Sequence, residues 1–420
     1  MEQDLLTLAE RLLDGSASIE DHHPLNLRGA SVIQEVAPRV AFVEAFANVV
    51  AIDTDEGLVL VDAAGPLHAQ SAHDAVREWS ARPLHTAVFT HGHVDHIYAV
   101  RIFESEPGAN PAHVVAHEAL PDRFRRYEST NGYNAIINQR QFQLPQPIFP
   151  GNYRYPDELY RDRLDLDIGG VELTLRHDRG ETDDGTWVWL ADRKVLCTGD
   201  LFIWASPNCG NPQKVQRYPA EWAAALRSMV ALGPELLLPG HGLPIAGRDR
   251  IATVLAETAE LLESLVDQTL ELMNAGARLD EIVHAVTAPP HLLDRPWLQP
   301  VYDEPEFVVH NLWRLYGGWY DGDPSHLKPS PANALAGELA MLAGGATALA
   351  SHAEALSDRG EHRLAGHLAE LAVQADPDDP GLHRVRALVF SRRADLERST
   401  MAKGVFRWAA TESHSVAHSA

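Results

Sequence analysis

Cysteine is almost absent: Cys197 and Cys209 are the only two in 420 residues, eleven residues separate them, and no CxxC occurs. That excludes a disulfide framework and points to a reducing compartment, with both thiols in buried, redox-inert positions. Long apolar runs are missing as well. No stretch approaches the ~20 residues that cross a bilayer. The opening MEQDLLTLAERLLDG reads as an acidic amphipathic helix, without the basic start and apolar middle of a signal peptide. Positive charge is scarce too: 35 Lys and Arg stand against 59 Asp and Glu, a net charge of −24. Such a surface repels nucleic acid and anionic membrane, so neither is an expected partner. An anionic substrate would have to be drawn by local charge, such as a metal. A soluble, cytoplasmic protein is expected.

The composition is otherwise ordinary for a globular protein, 45% hydrophobic and 22% charged, in a chain too long for one common core. From about residue 40 to 250, short β-branched runs alternate with Gly, Pro and Asp. LVLVD (58–62), HTAVFT (85–90), HVVAH (113–117), VELTLR (171–176), TWVWL (186–190), KVLCT (194–198) and ELLLPG (235–240) are strand candidates, with helical stretches such as 67–79 between some of them. Beyond GHGLPIAG the pattern becomes helical. Residues 251–275 repeat apolar positions at helical spacing and stop before Gly276, and LDEIVHAV (279–286) comes next. A Pro- and aromatic-rich connector, 288–330, leads into Ala-rich helical segments from 331 to about 400 that resemble tetratricopeptide-type helix pairs. The expected division is therefore 1–250, 251–408 and a loose tail, 409–420.

The stretch THGHVDH supplies His91, His93, Asp95 and His96 directly after a strand. His91 and His93 are two apart, so in extended backbone they point the same way and can share one ion. Asp95 and His96 turn the other way and can serve a second. Imidazole and carboxylate suit zinc, and also iron or manganese. A helix cap built by Asp95 alone would leave three histidines unexplained. Four side chains cannot fill two metal shells, so further ligands are expected at strand ends downstream. RGETDDG offers Glu181, LCTGDL offers Asp200 in a position suited to bridging, and LPGHGLP offers His241 between two glycines.

In this order the motifs resemble the metallo-β-lactamase superfamily over about residues 40–250. The resemblance implies an α/β fold, an αββα sandwich with metals at one edge, followed here by an all-α, tetratricopeptide-like domain. It also implies that Asp62, in LVLVDAAG, orients the metal loop. Where most members carry a histidine, this chain has Glu181; His177, four residues earlier, falls inside the strand pattern. That exchange resembles the alkyl sulfatase branch, and the second half is similar to that branch's helical dimerisation region, so a homodimer is expected. The branch's sterol-carrier-like module and signal peptide are expected to be absent, which counts against long-chain surfactant substrates.

The resemblance implies two Zn²⁺ or other divalent transition metals. His91, His93 and Glu181 would hold one, Asp95, His96 and His241 the other, and Asp200 would bridge. A metal-bridging water and Asp95 would be the catalytic groups. The expected reaction is hydrolysis of a small anionic ester, an alkyl sulfate, to alcohol and sulfate. A lactonase, thioesterase or phosphodiesterase on the same scaffold is the alternative. Two polar runs, both expected as loops, are candidates to bind the oxyanion: Asn134, Asn138 and Arg140 in the first, and Asn208, Asn211, Gln213, Lys214 and Arg217 in the second.

Overall fold

The run Leu58–Val61 is buried at every position, as are the first four residues of Val49–Asp53. A strand with no solvent face belongs in a sheet covered on both sides, which here places helices outside paired sheets. The computed structural model describes residues 4–20 and 31–419 and divides them into two compact units.

The first unit comprises Met1–Asn131 and Pro150–Gly318. Its first sheet runs in order β1 (Val32–Ala37), β2 (Val40–Glu44), β3 (Val49–Asp53), β4 (Leu58–Val61), β5 (Leu84–Val88), β6 (His113–His117) and β7 (Glu158–Tyr160). The pairs from β1 to β4 are antiparallel, and those from β4 to β7 are parallel. The second sheet runs, in reverse chain order, β13 (Ile245–Ala246), β12 (Leu236–His241), β11 (Val195–Ile203), β10 (Thr186–Leu190), β9 (Val171–His177) and β8 (Arg163–Ile168). Only β11 and β12 pair in parallel within it. Helices α1 (Leu5–Leu13), α2 (Ala69–Trp79), α3 (Val100–Glu104) and α4 (Leu120–Ser129) belong to this unit. The other helix of its first half, α5 (Asn131–Phe142), passes into the second unit.

Helices α6 (Pro219–Leu232), α7 (Arg248–Asn274), α8 (Leu279–Ala285), α9 (Pro290–Leu293) and α10 (Pro305–Gly317) complete the first unit. The division therefore falls after residue 318 and not at 250. The reason is burial: α7 turns Ile251, Val254, Leu255, Ala259 and Leu262 inward, and one continuous apolar core reaches from Leu5 to Leu312. The change of composition near residue 250 marks a change of secondary structure, not the end of the core.

The second unit comprises Gly132–Phe149 and Trp319–Ala420. It is all helical: most of α5, then α11 (Pro324–Leu327), α12 (Ala332–Ala343), α13 (Ala346–Asp358), α14 (His362–Ala375), α15 (Pro380–Leu396) and α16 (Thr400–Ser419). Helix α13 packs on α14 and α15 on α16, with small buried side chains such as Ala353, Ala365, Ala369 and Ala387 at the seams. Residues 409–419 are not a loose tail but the second half of α16. Ser413 is fully buried there and receives a 2.9 Å hydrogen bond from Arg386 Nη1 of α15. Among the described residues no single helix is long and apolar enough to cross a membrane.

Candidate metal centre

The donors come together from the ends of β5, β9 and β12 and from within β11, where Asp200 lies inside the strand and not past its end as expected. The loop after β5 carries His91, His93, Asp95 and His96; Glu181 lies between β9 and β10; Asp200 sits in β11; and His241 closes β12. The parallel pairing of β11 with β12 brings Asp200 and His241 side by side. Gly240 makes the approach possible, because a Cβ there would collide with Asp200 Oδ1.

The seven side chains form two sets of converging atoms: His91, His93, Glu181 and Asp200 in one, and Asp95, His96 and His241 in the other. In the first, Glu181 Oε2 lies 3.4 Å from His93 Nδ1 and 3.7 Å from His91 Nε2, which is also 3.7 Å from Asp200 Oδ2. In the second, Asp95 Oδ2 lies 3.7 Å from His96 Nε2 and 3.6 Å from His241 Nε2. Asp200 reaches this set as well, with Oδ1 3.4 Å from His96 Nε2 and Oδ2 3.3 Å from His241 Nε2. Ligands about 2.0–2.2 Å from one zinc ion stand roughly 3–4 Å apart, which these spacings match; His91 Nε2 and His93 Nδ1, 2.8 Å apart and hydrogen-bonded to each other, would have to open slightly to share an ion. His96 Nε2, Glu181 Oε2 and Asp200 Oδ1 are buried and lack a hydrogen-bond partner, which is what atoms meant for a cation look like without it.

The electrostatics agree. Burial draws His91 well below the usual histidine range, with His96 and His93 adding to it. At His96 burial acts downward, yet Asp200, Asp62 and Asp95 together raise the ring well above that range. His241 is also raised, as Asp200 outweighs burial. Asp200 is held well below the carboxylate range, because His241 and His96 overcome the cost of its burial.

The profile described as Metallo-beta-lactamase superfamily matches residues 43–241, the span that holds all seven donors. Residues 43–241 form a metallo-beta-lactamase superfamily domain. The chain's helical portion matches the profile described as Alkyl sulfatase dimerisation over residues 278–415. A linear primary-alkylsulfatase of Pseudomonas sp. is 28% identical over 366 residues, covering 81% of this chain and 69% of that protein. An (R)-specific secondary-alkylsulfatase, also of Pseudomonas sp., is 27% identical over 396 residues, covering 87% and 60%. The structure of a stereoselective inverting sec-alkylsulfatase from Pseudomonas sp. superposes with a TM-score of 0.82 at 23% identity, over 91% of this chain and 66% of that one. The fold is the same, and this chain spans some three fifths to two thirds of the length of these relatives.

Around the donors of this metallo-beta-lactamase superfamily domain lies a ring of supporting groups. Asp62 Oδ1 accepts from Thr90 N, and its Oδ2 from Thr90 Oγ1 and His96 Nδ1, each at 2.8 Å. Other supports were not singled out in the sequence. Asn48 Nδ2 donates to the carbonyls of Pro239 and Gly242, both at 2.9 Å, and so braces the turn that carries His241. Nδ1 of His241 donates to the Phe46 carbonyl. Asp184 Oδ2 accepts from Gly92 N at 2.9 Å, midway between His91 and His93, and Arg123 pairs with Asp184 from behind.

The oxyanion candidates separate. Asn134, Asn138 and Arg140 are not in a loop; they lie on helix α5, assigned to the second unit, whose even mixture of polar and apolar positions shows no clear stripe. The run 208–217 is irregular, as expected, but two of its members turn inward. Asn208 Nδ2 and Arg217 Nη1 both reach Glu181 Oε1. Asn211 is buried and caps its own turn, with Oδ1 accepting from Gln213 N at 3.0 Å. Lys214 is the loop's other cation; burial and then Arg217 lower its ammonium to about 8, while Asp95 and Glu181 act to raise it. His177 stays in β9, stacked on His117 at 3.6 Å with Nδ1 donating to the Gly185 carbonyl, and belongs to neither set of donors.

Proposed function

We propose that this protein is a dinuclear metal hydrolase that cleaves small alkyl sulfate esters to alcohol and sulfate. The observation that carries this reading is the convergence of seven donors into two sets that share Asp200. Support for the sulfate ester comes from the alkylsulfatase names of the relatives and from a carboxylate, Glu181, in the first set. In this reading His91, His93 and Glu181 hold one zinc, Asp95, His96 and His241 the other, and Asp200 lies between. Bound there, two such ions supply Lewis acidity and lower the pKa of a coordinated water toward neutrality. Burial of five of the donors, His91, His96, Glu181, Asp200 and His241, keeps bulk water out and strengthens the local field. Asp95, whose side chain is 26% exposed, is the most open of the three donor carboxylates and is the one placed to hold a proton taken from substrate water. Lys214 supplies positive charge to the anionic head of the substrate, offsetting a protein surface that repels it.

The test is a panel of short primary and secondary alkyl sulfates, lactones, thioesters and phosphodiesters with zinc-loaded protein, with sulfate followed by ion chromatography. Sulfate release is expected. Inert alkyl sulfates alongside rapid lactone or phosphodiester hydrolysis would overturn the assignment. We also propose a cytoplasmic location, a reading that two free, buried cysteines support.

We also propose that α12–α16 form a tetratricopeptide-like stack that pairs two copies of the chain. Leu335, Leu339 and Leu342 recur at helical spacing on α12 and are 52%, 36% and 80% exposed, an apolar stripe unusual for a free surface. Light scattering at micromolar concentration is expected to show a dimer, and a Leu335→Asp, Leu342→Asp variant a folded monomer. A monomeric parent protein would defeat the proposal.

A further inference from the structure

A carboxylate in place of an imidazole adds a negative charge to the first metal set, and Arg217 was expected to meet the substrate. The geometry joins the two facts. Glu181 and Arg217 are both buried, with side chains 3% and 2% exposed, and Arg217 Nη1 stands 2.5 Å from Glu181 Oε1. The same nitrogen donates to the Asn208 carbonyl at 3.1 Å, while Asn208 Nδ2 donates to Oε1 from its other side. Oε1 is therefore saturated, and Oε2, without a partner, faces His91 and His93.

We propose that Arg217 makes Glu181 an electrically neutral, one-oxygen donor, so that the pair does the work of a single imidazole. The inference rests on the reading of Glu181 as a metal ligand. A carboxylate with both oxygens open can chelate a cation or turn its plane; with one oxygen committed to a guanidinium it presents a single atom in a fixed direction. The partner's charge cancels the added negative charge locally, which keeps the electrophilicity of the first site close to that given by histidine. Arg217 acts through Glu181 and is a positioning residue.

The loop that delivers Arg217 is clamped by α10 and the residues just before it. Asn311 accepts from Arg217 N at 3.3 Å and from Gln216 Nε2 at 2.9 Å, and its Nδ2 returns a bond to the Arg217 carbonyl at 3.1 Å. Asp303, fully buried, accepts from Gly210 N at 2.5 Å. Gly210 sits so close to α10 that a Cβ would collide with the Phe307 carbonyl carbon. Part of the segment matched by the dimerisation profile thus serves the metal set of its own unit.

The test compares wild type, E181A, E181H and E181H/R217M, reading zinc affinity by chelator competition and the melting temperature of the metal-free proteins. E181H alone strands a buried guanidinium; it is expected to melt lower than wild type and to lose about 10- to 100-fold in affinity at one of the two zinc sites. Adding R217M should restore both readings, to within about threefold for zinc. E181H alone binding zinc and melting as the double variant does would overturn the pairing of Arg217 with Glu181. E181A binding two zinc ions as wild type does would instead remove Glu181 from the ligands and defeat the reading beneath it.

Discussion

Asp200→Asn should leave at most one zinc ion per chain and reduce hydrolysis to background. Asp200 is the side chain whose oxygens lie within 4 Å of histidines from both metal sets, His91 on one side and His96 and His241 on the other. The amide keeps the shape but removes the charge, and offers one oxygen where the carboxylate offers two. Space for rearrangement is small, since Gly240 lies against the carboxylate and a Cβ there would collide with Asp200 Oδ1. The loss should exceed the roughly 10- to 100-fold in metal affinity that outer supports such as Asp62 or Asn48 are worth. Elemental analysis after dialysis against zinc, paired with sulfate release, reads both quantities. Two retained zinc ions and full turnover would take Asp200 out of the space between the sites.

The largest effect on stability is expected from Arg123→Met. Arg123 and Asp184 have side chains 2% and 0% exposed and meet at 2.9 Å between Nε and Oδ1; Arg123 also binds Asp183. Removing one partner of a buried pair strands the other, at a cost of about 3–5 kcal/mol. The metal loop should suffer too, since Asp184 anchors Gly92 N. Acidity distinguishes this mechanism. In the native protein burial acts to raise the Asp184 pKa, but Arg123, Thr182 and Gly92 outweigh it and the value is lowered. Its stabilising contribution is therefore present above the unfolded carboxylate value, about 3.9, and fades as the pH falls through the lower folded value. Without Arg123 burial dominates, the folded value moves up, and acid should favour the variant. Urea unfolding of the metal-free proteins should thus show a deficit that narrows from pH 7 to pH 5. A deficit below ~1 kcal/mol, as for an exposed pair, would contradict this.

The donors were legible in the sequence because each stands at or beyond the end of a β-branched run, where a rigid strand aims the loop beyond it. Glu181 over His177 could be read for the same reason: His177 still keeps strand alternation and ends β9, while Glu181 lies past it. The supports were not legible. Asn48 reaches across 191 positions to Pro239, and Arg123 across 61 to Asp184, and neither carries a local pattern. Arg217 was noticed for its charge and assigned outward, toward substrate, because a sequence does not say which way a loop side chain turns. Helix α5 escaped because NGYNAIINQRQF has no sustained apolar stripe. The helical face of α7 was plain, but not that its cover would be the core of the first unit.

The clamp of Asn311 and Asp303 on the loop after β11 bears on heredity. A gene severed near codon 250 would encode an upstream fragment with its ligands intact but without the wall that seats Arg217. Recombination that swapped the downstream coding segment for a foreign helical array would meet the same obstacle. Loss of the distal portion would thus leave Arg217 without the side chain that holds its backbone on both sides.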